Sequence, residues 1–463
     1  MSEQSTPRSR VSLVRGIGVG DGVALVVGGI IGSGVFLVPK DVSQQVESFG
    51  AVLLVWLAGG VLSLAGALSL GELGAAIPKT GGLYVYLREA YGRPLAFFYG
   101  WALFTIIHTG TIAALGAALG LYSGSVIQIY SGYELGIWGQ RLIGVGSIAL
   151  LTWVNCLGLG PGKWVQNIFT VAKVAGLGLV ILLLLARGRP IELLATEFWP
   201  AGGVTFSMEL LTAFGLALVA VLWAYEGWHT VTFSAGEFKN PVRDLPRSLF
   251  LGTLAIVIIY AMANWAYYSV LPGSQVAMTD TVAATAMEQT WGAWAGGLVS
   301  VLILVSIFGA NNATVLLGPR LFYAMAREGL FFPAVARVHP RYRVPVTSIV
   351  FQGVWASLLV VMGTFGELIR SVISIHVIFY ALAVAGVIVL RIKRPELPRP
   401  YKLPGYPILP ILFVLAAAGL AANEISHFNL KQFAVLAIVA GGIPAYFLFR
   451  KFGRRAADYD EDE

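Results

Sequence analysis

Apolar residues fall in long blocks along this chain, separated by short polar stretches rich in glycine and proline. Blocks of spanning length occupy 19–46, 50–77, 94–124, 142–158, 164–187, 206–236, 247–271, 294–324, 346–363, 368–391, 407–424 and 432–449. About 20 apolar residues are needed to cross hydrocarbon as a helix. The pattern therefore predicts an all-α polytopic membrane protein with twelve transmembrane helices.

Two blocks are interrupted. The first carries Gly28-Gly29-Ile30-Ile31-Gly32-Ser33-Gly34-Val35-Phe36, and so many glycines so close together are costly inside a helix. In hydrocarbon an unwound peptide group must find its partner inside the protein or in a wet cavity. The break either permits a close helix crossing, as small residues do, or lines a site. The sixth block carries a second interruption, Trp223-Ala224-Tyr225-Glu226-Gly227-Trp228. Two broken segments in corresponding halves of a membrane chain point to a transporter site.

The same pairing predicts a five-plus-five inverted repeat. A polar segment over 1–18 precedes a first half over 19–187 and a second over 206–391, followed by two further helices over 407–449 and an acidic tail over 450–463. The stretches 78–86 and 325–345 both read as short amphipathic interfacial segments and are taken as paired features of the two halves.

Composition sharpens the class. Hydrophobic residues make up 57% and charged residues 12% of the chain, whereas soluble domains carry about a quarter charged. Met1 to Arg15 is polar and basic, without the short apolar run of a cleaved leader. With the N-terminus placed in the cytoplasm and the segments alternating, 24 of the 31 Lys and Arg residues fall on the inner side and 6 on the outer. That asymmetry puts both termini in the cytoplasm of a multi-pass cell-membrane protein. The net charge of +7 thus reports topology and contact with the lipid bilayer, and no nucleic acid is expected. The single cysteine, Cys156, sits in an apolar block, so no disulfide-linked accessory subunit is expected. The sequence offers no metal-ligand cluster, His-Glu-x-x-His run or nucleophile elbow, so neither an enzyme nor a metal or cofactor site is expected. Neither a filter loop nor a ring of charge suggests a channel.

Several motifs then narrow the reading. Ile31-Gly32-Ser33-Gly34-Val35-Phe36, Glu72-Leu73 with Pro78-Lys79-Thr80-Gly81-Gly82, Ala224-Tyr225-Glu226-Gly227-Trp228, Glu237-Phe238-Lys239-Asn240-Pro241 with Leu245-Pro246-Arg247, and Pro319 through Gly329 occur in order through almost the whole chain. This set resembles the amino acid–polyamine–organocation superfamily. The Lys-Asn-Pro…Leu-Pro-Arg stretch is most similar to its L-type amino acid transporter branch and to bacterial serine/threonine exchangers. The resemblance implies leucine-transporter-type helices moving amino acids by alternating access. Two positions depart from it: Glu226 stands where a small residue or Asp is commoner, and Trp223 replaces a usual Phe.

An amino acid substrate brings a carboxylate and an ammonium. The N–H groups of Gly32, Ser33 and Gly34, at the start of a half-helix where the dipole is positive, suit the carboxylate, with the Ser33 hydroxyl as helper. Ile31 belongs to the same stretch. Carbonyls freed at Ile30, Trp223, Ala224 and Glu226 suit the ammonium, and the resemblance assigns these positions the same roles. Lys173 is a cation in the interior of the fifth spanning block, at an insertion cost of about 2.5–3.5 kcal/mol. It lies roughly 13 Å from the block's end at 1.5 Å per residue, too far to snorkel easily. It is expected to donate to carbonyls around Gly28, Gly29 or Ile30, and to Asn311 or Asn312. In the family the matching lysine stands where sodium-coupled relatives hold sodium, which implies a sodium-independent carrier of neutral L-amino acids, as exchanger or proton-coupled. The alternative is a sodium- or proton-coupled symporter for another small amine or a cationic amino acid. Glu226 either turns to a wet path or pairs with a base, or else shapes substrate choice or carries a proton. His108 and His376 read as hydrogen-bonded packing residues, and Glu72 as a partner for loop donors.

Overall fold

The glycine-rich stretch does break its helix. In the computed structural model, α1 (Val19–Ile30) ends where Ile31 becomes extended, at φ −70° and ψ 95°. Helix α2 (Gly34–Ser43) restarts after Ser33, with its axis turned by 45°. The structure describes residues 13–46, 48–189, 191–193, 198–199, 203, 207–279, 281–362, 365–426 and 436–452, with backbone only for 365–375 and 423–426.

After the first break come α3 (Phe49–Ala76), a short α4 (Leu83–Tyr91) and α5 (Arg93–Ala102). Helix α5 runs through a π turn at Leu103–Ile107 into α6 (His108–Ser131). Helices α7 (Ile137–Cys156) and α8 (Leu159–Arg187) complete this half. The second break follows α9 (Met208–Ala224). There Gly227, at φ +118°, turns the chain into a 3-10 stretch over Trp228–Glu237. Then follow α10 (Pro241–Tyr268), α11 (Gly273–Met278), α12 (Val282–Trp291), α13 (Ala293–Leu317), α14 (Pro319–Arg327), α15 (Val346–Met362), α16 (Phe365–Lys393), α17 (Ile408–Ser426) and α18 (Gly442–Phe452).

Among the described residues eight helices are long and apolar enough to cross a membrane, or nine if α1 and α2 count as one bent span. Helix α15 and residues 408–422 are apolar but shorter. The last expected span, 432–449, lies partly outside the described residues. The described residues are thus all-helical with eight or nine membrane-length spans, as expected of a polytopic membrane protein.

Helix α1 is wedged among α8, α10 and α13, and α10 runs along much of α3. The fit at α1 is tight: a Cβ on Gly28 would come within 1.9 Å of Gln166 Nε2. Polar joints tie the elements at the end where the chain begins. Gly16 and Ile17 donate backbone N–H bonds to Glu237 O, at 2.9 and 3.1 Å, and Lys239 N–H returns one to Ile17 O at 2.9 Å. Lys163 Nζ donates to Gly16 O (3.0 Å) and Asp21 Oδ2 (2.9 Å), pinning the start of α1 to α8. Glu72 accepts from Arg391 and from the Leu403 N–H at 2.6 Å, the loop-anchoring role expected of it.

The most demanding joint is Arg320 with Glu237. Both side chains are fully buried, and the guanidinium donates two bonds to the carboxylate, from Nε at 2.7 Å and from Nη2 at 3.0 Å. Removing one partner leaves the other charge buried without compensation, at about 3–5 kcal/mol. Arg320→Ala is therefore expected to lower thermal stability in detergent by many degrees and to reduce the yield of monodisperse protein. Fluorescence-detected size-exclusion after a temperature ramp measures this.

Candidate substrate site

Unwinding leaves peptide groups that must be satisfied inside the protein, and the structure divides them between residues and open space. On the carbonyl side, Lys173 is fully buried, and its ammonium donates to Gly28 O at 2.6 Å and Ile31 O at 2.5 Å, with Ser306 O at 3.4 Å. The Ser306 hydroxyl shares its one proton between Gly32 O at 2.8 Å and Ile31 O at 3.1 Å. The Tyr260 hydroxyl lies between the two broken helices, 3.2 Å from Ile30 O and 3.1 Å from Ala224 O. Trp223 O accepts the Glu226 N–H at 3.0 Å.

On the N–H side the arrangement is open. The N–H groups of Gly32 and Ser33 find no acceptor among the described residues, and the buried Ser33 hydroxyl has no partner either. They face a cavity lined by residues of both breaks, with His108, His229, Glu226 and His376 on its walls. A second, mainly apolar cavity adjoins it, and Trp223, Glu226 and His376 line both. An oriented set of unpaired donors at a half-helix start accommodates an anion, and Glu226 supplies an acidic wall.

The predicted positions fall into groups. Gly29, Ile30, Gly32, Ser33, Gly34, Trp223, Ala224 and Glu226 all line the cavity. Ile31 does not, because its carbonyl is turned the other way, toward Lys173 and Ser306. The carbonyls of Ile30, Trp223 and Ala224, expected to be bare, already hold protein donors, since a membrane interior offers them no water. Gly29 is a helix-crossing contact rather than a partner of Lys173, as its backbone abuts Gly227. Asn311 does not reach the ammonium; its amide donates to Ile112 O at 3.4 Å. Asn312 instead joins Asn155 and Gln166.

The histidines divide. His108 is a hydrogen-bonded packing residue, with Nε2 3.0 Å from Thr314 O, and it also faces the cavity. His376 is not: among the described residues neither ring nitrogen has a hydrogen-bond partner, although Glu226 Oε1 lies 3.3 Å away. Tyr380 donates to Glu226 Oε1 at 2.5 Å and stands 2.5 Å from His229 Nδ1. His229 and Tyr380 are absent from the sequence-level candidates. The available signal was the Glu-x-x-His spacing of Glu226 and His229, which puts two ligand-type side chains on one side of a helical turn.

The Tyr260 bridge has a measurable consequence. The one hydroxyl proton, shared between the two carbonyls, contributes about 0.5–1.5 kcal/mol to holding the broken ends together. Tyr260→Phe is expected to weaken apparent substrate affinity up to about tenfold while the helical content by circular dichroism stays unchanged.

A solvent-sized chamber framed by two broken helices, in a chain of membrane-length helices, defines a solute permease. The chain belongs to the amino acid permease family, whose model matches residues 18–443. It is 34% identical over 442 residues to the serine/threonine exchanger SteT of Bacillus subtilis, covering 95% of this chain and 98% of that protein. It is 32% identical over 460 residues to the human b(0,+)-type amino acid transporter 1, covering 98% and 92%. It is also 32% identical over 452 residues to the rat large neutral amino acids transporter small subunit 2, covering 96% and 83%.

Proposed function

We propose that this permease exchanges neutral L-amino acids across the cell membrane without sodium, by alternating access. The observation that carries the reading is Lys173: a protein ammonium bonded to two carbonyls of the first break fills the place a coupling cation would need. The substrate carboxylate binds the open N–H groups of Gly32 and Ser33, with Gly34 behind them. Its ammonium shares the second lone pairs of the Ile30 and Ala224 carbonyls, beside Glu226. Relatives named as a serine/threonine exchanger and as a neutral amino acid transporter support the substrate class.

The same reading takes the chain as twelve spans with cytoplasmic termini, built from inverted halves over 19–187 and 206–391. One geometric likeness supports the repeat. Helix α4 (9 residues) ends at Gly92, with φ 96° and ψ 176°, before the long α5–α6 helix. Helix α12 (10 residues) ends at Gly292, with φ 92° and ψ 172°, before α13. The counterpart of 83–91 is then 282–291 rather than the loop after α13.

Uptake of a panel of labelled amino acids into proteoliposomes tests the function. Small neutral amino acids on the far side should accelerate uptake severalfold, and replacing sodium with choline should leave it unchanged. A strict sodium requirement would overturn the reading. Preferred uptake of cationic amino acids would instead favour the acidic wall at Glu226 as the selecting feature. Glu226→Gln is expected to change the ranking of substrates within the panel, because it removes the only carboxylate on the cavity wall among the described residues.

A further inference from the structure

Glu226, His229 and His376 aim ligand atoms at one point beside the substrate chamber. Glu226 Oε1 stands 3.3 Å from His376 Nδ1 and 3.5 Å from His229 Nδ1. All three ligand atoms lie within 4.8 Å of one another. A tetrahedral zinc-type ion with bonds of about 2.0–2.2 Å spaces neighbouring ligand atoms about 3.3–3.6 Å apart. Two of the three edges therefore already match, and the third closes with a ring shift of at most about 1.5 Å.

A second observation points to a ligand independently of this spacing. His376 is 4% exposed, yet among the described residues both of its ring nitrogens lack a hydrogen-bond partner. Buried polar groups are almost always satisfied, so a bare imidazole in a membrane interior needs an explanation. Tyr380 donates to Glu226 Oε1, its hydroxyl lies 2.5 Å from His229 Nδ1, and its ring stacks on His376 with centroids 4.1 Å apart. The hydroxyl thus gathers two of the ligand atoms in the ion-free protein, and an ion binds by displacing it from them.

We propose that Glu226, His229 and His376 form a binding site for a transition-metal dication of the zinc type, and that its occupation arrests transport. Two imidazoles and one carboxylate select zinc, cobalt, nickel or copper over calcium and magnesium, which require more oxygen ligands. The fourth position opens toward the chamber that Glu226, His229 and His376 all line. Glu226 and His229 belong to the second break and His376 to α16, so one ion clamps the break to a neighbouring helix. The arrest rests on the transport reading; the binding does not.

Cobalt(II) titration of the purified protein in nanodiscs tests the binding. The expected result is one ion per chain, with the visible absorption of tetrahedral coordination, displaced by zinc. His376→Gln and Glu226→Gln, each checked for folding by size-exclusion and thermal unfolding, should weaken binding more than about tenfold, since losing even an outer partner costs that much. If His376→Gln does not fold, His229→Gln takes its place. Absence of stoichiometric binding, or undiminished binding in the folded variants, overturns the site. In proteoliposomes, zinc should suppress wild-type uptake and should suppress His376→Gln uptake less, each against its own zinc-free rate. Metal bound with uptake unimpaired overturns the arrest alone. Metal bound with no uptake of any amino acid overturns the transport reading and leaves the site standing.

Discussion

Lys173→Ala is expected to abolish amino acid uptake while the protein still inserts, folds and elutes as a single species. The buried ammonium holds Gly28 O, in the last turn of α1, and Ile31 O, where the chain leaves the helix. Alanine leaves Gly28 O without its donor, at about 1–3 kcal/mol, and takes from Ile31 O its charged donor, so that only the Ser306 hydroxyl remains. A loss of about 2 kcal/mol shifts the population of the binding-competent backbone about thirtyfold. The helices flanking the break keep their own hydrogen bonds, so the loss concentrates where Gly32 and Ser33 present their N–H groups. Lys173→Met separates charge from bulk: it fills the same space without a donor and should be as inactive as alanine. Uptake at the wild-type rate in a folded Lys173→Ala protein would remove the lysine from the mechanism.

What the sequence exposes and what it hides follow from the range of the interactions. The breaks are local: glycines crowded at 28–34 and Gly227 inside an apolar block mark them without knowledge of any other helix. Lys173 stands out for the same reason, as a lone cation in an apolar run. Its partners were legible only approximately, because α1 and α8 must be docked before Ile31 O can be told from Ile30 O. Tyr260 was invisible. A tyrosine in a membrane helix is unremarked until its hydroxyl is seen between two carbonyls 194 positions apart in the chain. His376 was read as a packing residue because a packed histidine and an unpartnered one have the same letter. Its bare nitrogens emerge only when α16 meets the second break. The family supplies the direction of the argument, and the contacts between distant helices supply its atoms.

Gly227→Ala should be nearly as damaging as the loss of Lys173, for a reason confined to backbone. Gly227 sits at φ +118°, a conformation side-chain-bearing residues rarely adopt, and an added Cβ would meet Gly29 C and O at 3.0 Å and Ile30 N at 3.3 Å. The conformational strain is about 1–2 kcal/mol and the crowding about 1–3 kcal/mol more. The atoms in the way are backbone of the first break, so they yield only by moving it, and the two halves of the site separate. Uptake should fall at least tenfold, since about 1.4 kcal/mol already suffices for that factor. The loss should appear mainly as weakened affinity, because the displaced groups contact substrate directly. Gly215→Ala is the control: it lies in α9, and its added Cβ has nothing within 4 Å, so its uptake should match the wild type. If Gly227→Ala binds substrate as tightly as the control, the backbone of the two breaks is not the receptor, and the carboxylate must be held by side chains instead.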